Sequence, residues 1–260
     1  MKKITCLFLL LCYAQVFAQV DIFREATNEA FQRGEKLTYR VHYGFIDAVT
    51  ATLEVKEEDK KFGERSTYHI VGTGRSRGSF DFFFKVRDKY ETFLDEKALM
   101  PWYFSRRVDE GGYKISQDYA FNPYKKTVNT GDKVMNVVEY THDMISGFYY
   151  ARTMDLSSAK KDQLFTVPSV VDGEMFNLQI KFKGKEIVKT KFGRIRCLKF
   201  VPVLQKGRIF KREEDLQVWL SDDKSHIPIY AKAEILFGSI KLDLVSYSGL
   251  VRPFVFEPKK

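Results

Sequence analysis

The sequence predicts a mainly β chain, folded as a large curved antiparallel sheet or a partly open β-barrel with one or two short helices. Three observations carry this. Apolar and polar residues alternate over many short stretches, turn-forming clusters separate those stretches at regular spacing, and helical periodicity surfaces only briefly. The 260 residues contain no repeat, low-complexity linker or composition break, so residues 19–260 are expected to form one β-rich domain behind a leader at 1–18.

The leader reads "MKKITCLFLLLCYAQVFAQV": Lys2 and Lys3, an apolar run from Ile4 to Leu11, then Val16-Phe17-Ala18 as a small-residue cleavage site. Its apolar part is far shorter than the ~20 residues of a membrane-spanning helix. Leu11 before Cys12 is too large for a lipoprotein attachment signal. Cleavage after Ala18 would place the protein in the periplasm, or at the outer-membrane periphery, of a Gram-negative bacterium. It would also leave Cys197 as the only cysteine, which excludes an internal disulfide. With apolar and basic neighbours in "IRCLKF", Cys197 reads as a buried structural thiol.

Along the body, "KLTYRVHY" puts Leu37, Tyr39, Val41 and Tyr43 in one phase, and "VTATLEV" repeats the pattern with Val49, Ala51, Leu53 and Val55. The two form a hairpin through the 44–47 region. Further strands are expected at 86–94, 102–108, 113–121, 176–182, 195–204 and 216–220. The stretch "IPIYAKAEILFGSIKLDL" predicts a late hairpin with Ile229, Ala231, Ala233, Ile235 and Phe237 on one face and a two-residue turn at Gly238-Ser239. In "HDMISGFYYARTMD", Asp143 is an N-cap for a helix over 144–153, with Ile145, Phe148, Tyr149 and Arg152 near one face. A second short helix is expected over 21–31. The knot "SFDFFFKVRDKY" is expected to make a helical turn whose rings tuck into the concave side of the sheet.

If Leu94 faces Trp102, then Tyr90 faces Arg106, and Asp88 becomes its diagonal neighbour on the apolar side. If Val108 faces Tyr113, Gln117 lies opposite Phe104. Asp88 and Arg106 are then either an internal ion pair, since a buried charge needs a partner, or part of a small-molecule site in an aromatic cavity. The candidate ligand-binding residues are Phe80, Phe83, Trp102, Phe104, Arg106, Gln117 and Phe148.

Catalytic signatures are absent. There is no Gly-rich phosphate loop, nucleophile elbow, paired-histidine metal motif or CxxC, so neither a cofactor nor a metal is expected. The cluster "SDDKSHIP", with Asp222, Asp223 and His226, reads as a turn before Pro228. The formal charge of +9 is spread as single cations among acids, which excludes a nucleic-acid grip and suits anionic envelope surfaces.

Four segments in order, "GEKLTYRVHYG", "FKVRDKYETFLD", "HDMISGFYYAR" and "VWLSDDKSHIPIYAKAEI", resemble a family of exported bacterial proteins known as domain of unknown function 3108. The resemblance implies export and a β-rich fold and supplies no catalytic residue. Trp219, the acidic turn and Pro228 also look similar to periplasmic lipoprotein carriers, which have an unclosed barrel capped by helices. The expected function is a non-enzymatic binding or carrier protein for a lipid or other apolar small molecule. The alternative is an envelope assembly protein that binds another envelope protein and uses its aromatics only as core. Peripheral membrane contact through the phenylalanine knot is a further expectation.

Overall fold

The computed structural model describes residues 23–203, 215–235 and 238–258. The leader with Cys6 and Cys12, and the expected inward position of Phe237, lie outside the described residues. A first meander comprises β1 (Lys36–Tyr43), β2 (Ile46–Phe62), β3 (Arg65–Ser76), β4 (Arg87–Asp95), β5 (Pro101–Glu110), β6 (Tyr113–Asn122), β7 (Thr127–Asn129) and β8 (Val134–Asn136). A short helix, α1 (Gly78–Phe83), joins β3 to β4, and α2 (Met144–Arg152) follows β8. The second meander is β9 (Leu164–Val171), β10 (Glu174–Lys189), β11 (Arg194–Pro202), β12 (Leu216–Ser221), β13 (Pro228–Glu234) and β14 (Ser239–Ser248).

All fourteen strands form one antiparallel sheet, in the order β8-β7-β6-β5-β4-β3-β2-β1-β14-β13-β12-β11-β10-β9. The two meanders join where β1 pairs with β14, so β8 and β9 are the free edges, and α2 lies in the connection between them. Among the described residues no ladder closes the ring. Side chains and a short backbone segment bridge the seam instead: the His142 amide donates to Pro168 O (2.8 Å) and its carbonyl accepts from Val170 N (2.7 Å). This covers part of the unpaired rim of β9, the kind of edge that otherwise invites aggregation.

Asp143 caps α2 as its residue type predicts. Its carboxylate accepts from the amides of Ile145 (2.8 Å) and Ser146 (2.9 Å) and from Thr92 Oγ1 (2.7 Å), which pins the helix start to β4. The helix then plugs the concave side. Tyr149 packs with Phe31, Val55, Ile70, Leu94 and Leu99, while Ile145 reaches the Phe104, Tyr119 and Val170 cluster. Truncating one of these fully buried aliphatic side chains to alanine would cost about 2–5 kcal/mol.

Three local expectations are corrected. Residues 23–31 are not helical: the Asn28 side chain takes up the amides of Ala30 (3.0 Å) and Phe31 (3.3 Å), and Arg24 donates to Ala98 O (2.8 Å) while lying over the Tyr140 ring. Those tertiary partners outweigh a weak helical preference. The second helix is α1 instead. The late hairpin pairs Glu234 with Ser239, and Ile235 N donates to Gly238 O (3.1 Å), so the chain leaves the ladder before Gly238-Ser239. Gly238 has φ 85°, and a Cβ there would sit 3.0 Å from the Tyr43 ring, which explains the glycine.

The third correction concerns register. Glu110 pairs with Tyr113 across Gly111 and Gly112, both at positive φ, in a tight two-residue turn. Gln117 therefore faces Arg106 and Tyr119 faces Phe104, two residues from the expected alignment. Leu94 faces Pro101, not Trp102, because the ladder shifts after Phe93. The expected pair Tyr90–Arg106 holds, and Thr92 faces Phe104.

Candidate functional site

The seven residues singled out from the sequence do not line one cavity. Phe104 is 1% exposed in a packed cluster with Tyr119, Phe121, Val128 and Val170, and Phe148 packs in the α2 core. Trp102 sits toward the end of the sheet away from α1, stacked on Phe62, with its indole N–H donating to Asp95 Oδ2 (3.0 Å). The cavity next to it, lined by Phe23, Met100, Phe121, Tyr124 and Tyr140, measures 110 Å³. That is too small for a lipid chain.

Arg106 fastens the seam. Its Nη1 donates to Asp172 Oδ1 (2.8 Å) in the turn between β9 and β10, and it lies 5.6 Å from the Tyr90 ring centre. Gln117 Oε1 accepts from the same nitrogen at 3.5 Å, and the Tyr119 hydroxyl accepts from Gly173 N (2.9 Å). Asp88 is not its partner. That carboxyl accepts from Asp109 N (3.3 Å), and burial together with nearby Glu110 pushes its pKa up to about 6.

The phenylalanine knot forms the expected helical turn but faces the wrong way for a plug. Phe80 is half-buried, whereas Phe82 and Phe83 are 89% and 80% exposed. What α1 turns toward the sheet is its carboxylate. Asp81 takes Arg87 Nη1 (2.6 Å) and Nη2 (3.0 Å) and the Ser76 hydroxyl, and these bonds hold its pKa at about 2.

Sequence reasoning missed the polar heart of the fold. Arg152, at the end of α2, is wholly buried and donates to Glu35 Oε1 (2.7 Å) and Oε2 (2.9 Å), Ala30 O (3.1 Å) and Ser225 O (3.1 Å). Burial opposes the guanidinium charge, yet Glu35 beside it holds its pKa above the ordinary value. Tyr149 lies under it at 4.9 Å. Burial also raises the Tyr149 and Tyr39 hydroxyls well above the usual range, so both stay neutral. A lone arginine on the apolar face of a helix was the available signal.

Asp222, Asp223 and His226 do share the wall of one depression, of 530 Å³, with Met154, Leu156 and Leu198. Each is already engaged. Asp222 binds Lys185 (3.0 Å) and Arg196 (2.8 Å), Asp223 accepts from Ser225 N (2.7 Å), and His226 Nδ1 pairs with Arg152 O (2.7 Å). Burial lowers the His226 pKa, which favours the neutral ring. Cys197 is buried as expected, its thiol pushed up to about 12 by desolvation. Among the described residues no group of His, Cys, Asp and Glu side chains could hold a metal ion.

Among the described residues one inward apolar row is only half-buried, with Leu242 and Val218 resting against neighbouring core clusters. Cross-strand pairs run Val49–Val41–Leu242–Ala231–Val218 over β2, β1, β14, β13 and β12. Val41 follows Leu37 and Tyr39 in the inward phase of β1. Leu37 and Tyr39 are 0% and 2% exposed, but every member of the Val49–Val218 row is only half-buried. The change occurs toward the end of the sheet that carries the β1–β2, β5–β6, β9–β10 and β13–β14 reversals and α1.

A family model described as a protein of unknown function, DUF3108, matches residues 38–245. The chain belongs to this family. Three of the four segments that carried the resemblance meet at one place in this DUF3108 protein: Glu35, Arg152 and Ser225 join across the buried ion pair. Among solved structures, the chain is similar to a β-barrel-like protein of domain of unknown function DUF1849 from Brucella abortus, at 11% identity and TM-score 0.51, covering 85% of this chain and 99% of that one. At that identity the likeness concerns the fold alone. A Bacteroides fragilis protein with a YmcC-like fold aligns at 11% identity and TM-score 0.32, covering 84% and 97% of the two chains. No curated protein matches the chain.

Proposed function

We propose that this DUF3108 protein is a non-enzymatic binding or carrier protein of the cell envelope that receives an apolar chain, such as a lipid acyl group, in the open end of its barrel-like sheet. The supporting observation is the half-buried inward row Val49–Val41–Leu242–Ala231–Val218, set above a core whose equivalent positions are dry. Covering such a row yields roughly 25 cal/mol per Å² removed from water. The leader sequence supports export, and among the described residues no helix is long and apolar enough to cross a membrane. The occupied hydrogen-bonding positions of Asp222, Asp223 and His226 favour a reading without catalysis.

Titration of the mature chain with a fluorescent fatty acid tests this. Saturable binding that Val218→Trp or Ala231→Trp abolishes, with the melting temperature preserved, is the expected outcome. Binding unaffected by either tryptophan, or none at all, would rule out the open end as the receiving site.

A further inference from the structure

Helix α1 is built with its sides reversed. In an ordinary surface helix the apolar side faces the sheet and the carboxylates face water. Here Asp81 points to the protein and is fixed by Arg87 and Ser76, while Phe82 and Phe83 stand in solvent. The backbone is anchored on both sides, since Arg77 N donates to Ala48 O (3.1 Å) and Gly111 N donates to Lys85 O (2.8 Å). The rings are therefore held outward by the fold. The neighbouring β1–β2 turn adds a third, Phe45, at 108% exposure.

Charge states what covers this patch. From Gly74 to Arg87 the only acid is Asp81, already bound to Arg87, while Arg75, Arg77 and Lys85 are exposed. Asp47, beside Phe45, is paired with Arg40, and Glu110, bridged to Val86, lies beside Asp88, which leaves Arg75, Arg77 and Lys85 as exposed cations around the rings. Such an apolar tip with flanking cations matches the interface of an anionic bilayer, where aromatic rings settle at headgroup depth and basic side chains meet phosphate. We infer that Phe45, Phe82 and Phe83, with Arg75, Arg77 and Lys85, form a docking tip that seats the open end of the sheet on an anionic lipid surface. A seated molecule presents its inner apolar row toward the bilayer, although the docking inference does not depend on an interior ligand.

Co-sedimentation of the mature chain tests it, using phosphatidylcholine vesicles with and without phosphatidylglycerol. Binding is expected to the anionic vesicles and to fall with added salt. Phe82→Ser with Phe83→Ser should weaken it at least ~tenfold, and Arg75→Gln with Arg77→Gln roughly fivefold per charge removed. Circular dichroism melts check that each variant is folded. As a second readout on an intact tip, Phe82→Trp should shift its emission to the blue when anionic vesicles are added. The inference is overturned by three results: no vesicle binding by the unaltered chain, binding that survives the double serine substitution, or a concentration-dependent dimer that the same substitution abolishes while vesicles remain unbound. The last result would assign the tip to a second copy of this chain.

Discussion

The guanidinium of Arg152 and the carboxylate of Glu35, 117 positions apart in sequence, share two hydrogen bonds with neither side chain exposed to solvent. This pair ties the end of α2 to the start of β1, and through Ser225 O to the loop before β13. Removing one partner leaves a buried charge without compensation. Arg152→Met is therefore expected to cost about 3–5 kcal/mol in urea denaturation, and adding Glu35→Leu should recover much of that loss. A double variant no more stable than the single would show that the pair does not act as a unit.

Asp143 is the second anchor of α2, and its replacement separates capping from charge. Asp143→Ala should lose about 1–2 kcal/mol, because two helix amides and the Thr92 hydroxyl lose their acceptor. Asp143→Asn keeps an acceptor oxygen and should lose much less. Thermal melts of both variants at neutral pH check the ranking.

Acid sensitivity is expected at His142. Burial, with a smaller contribution from Arg24, lowers its pKa from 6.5 to about 3. The unfolded chain then takes up the proton first, so the stability this group contributes is present above pH 6.5 and is lost as pH falls toward 3. The expected slope is about 1.4 kcal/mol per pH unit within that window. Asp88, raised to about 6, acts with the opposite sign, losing stability as pH rises between its unfolded value and 6. Urea denaturation of the unaltered chain and of His142→Gln across this range isolates the histidine: the two curves should converge toward acid.

At the seam, Asp172 is largely exposed, so its ion pair with Arg106 should matter little to global stability and more to local opening. Arg106→Leu is expected to change stability by about 1 kcal/mol or less. It should accelerate amide exchange around 170–174, where the second meander meets the first. Lost fatty-acid binding with unchanged exchange would instead make Arg106 a ligand contact.

Much of this architecture is legible in local pattern. Alternation in 37–55 places β1, β2 and their hairpin, and Asp143 before the Ile145, Phe148, Tyr149 and Arg152 face marks the start of α2, because periods and caps depend on nearby residues alone. Register across "DEGG" was less accessible, since placing the turn at Gly111-Gly112 requires knowing that both glycines adopt positive φ. The outward direction of α1 is less legible still. Five residues of phenylalanine and aspartate fit either face, and the deciding contacts come from Ser76 and Arg87. The Arg152–Glu35 pair joins segments that only the completed sheet brings together, so neither residue announces the other. The candidate site shifted for the same reason: aromatic content pointed to Phe104 and Phe148, but Phe148 belongs to α2 and packs in its core, Phe104 is closed over in the cluster that Ile145 reaches, and smaller aliphatic side chains nearer α1 are the ones left half-covered.

Native mass spectrometry of the mature protein, released gently from a Gram-negative envelope, tests the binding reading most directly. The account predicts a chain carrying a lipid-sized adduct that is missing from folded Ala231→Trp. A bare chain in every preparation, or an adduct retained in full by that variant, would contradict it.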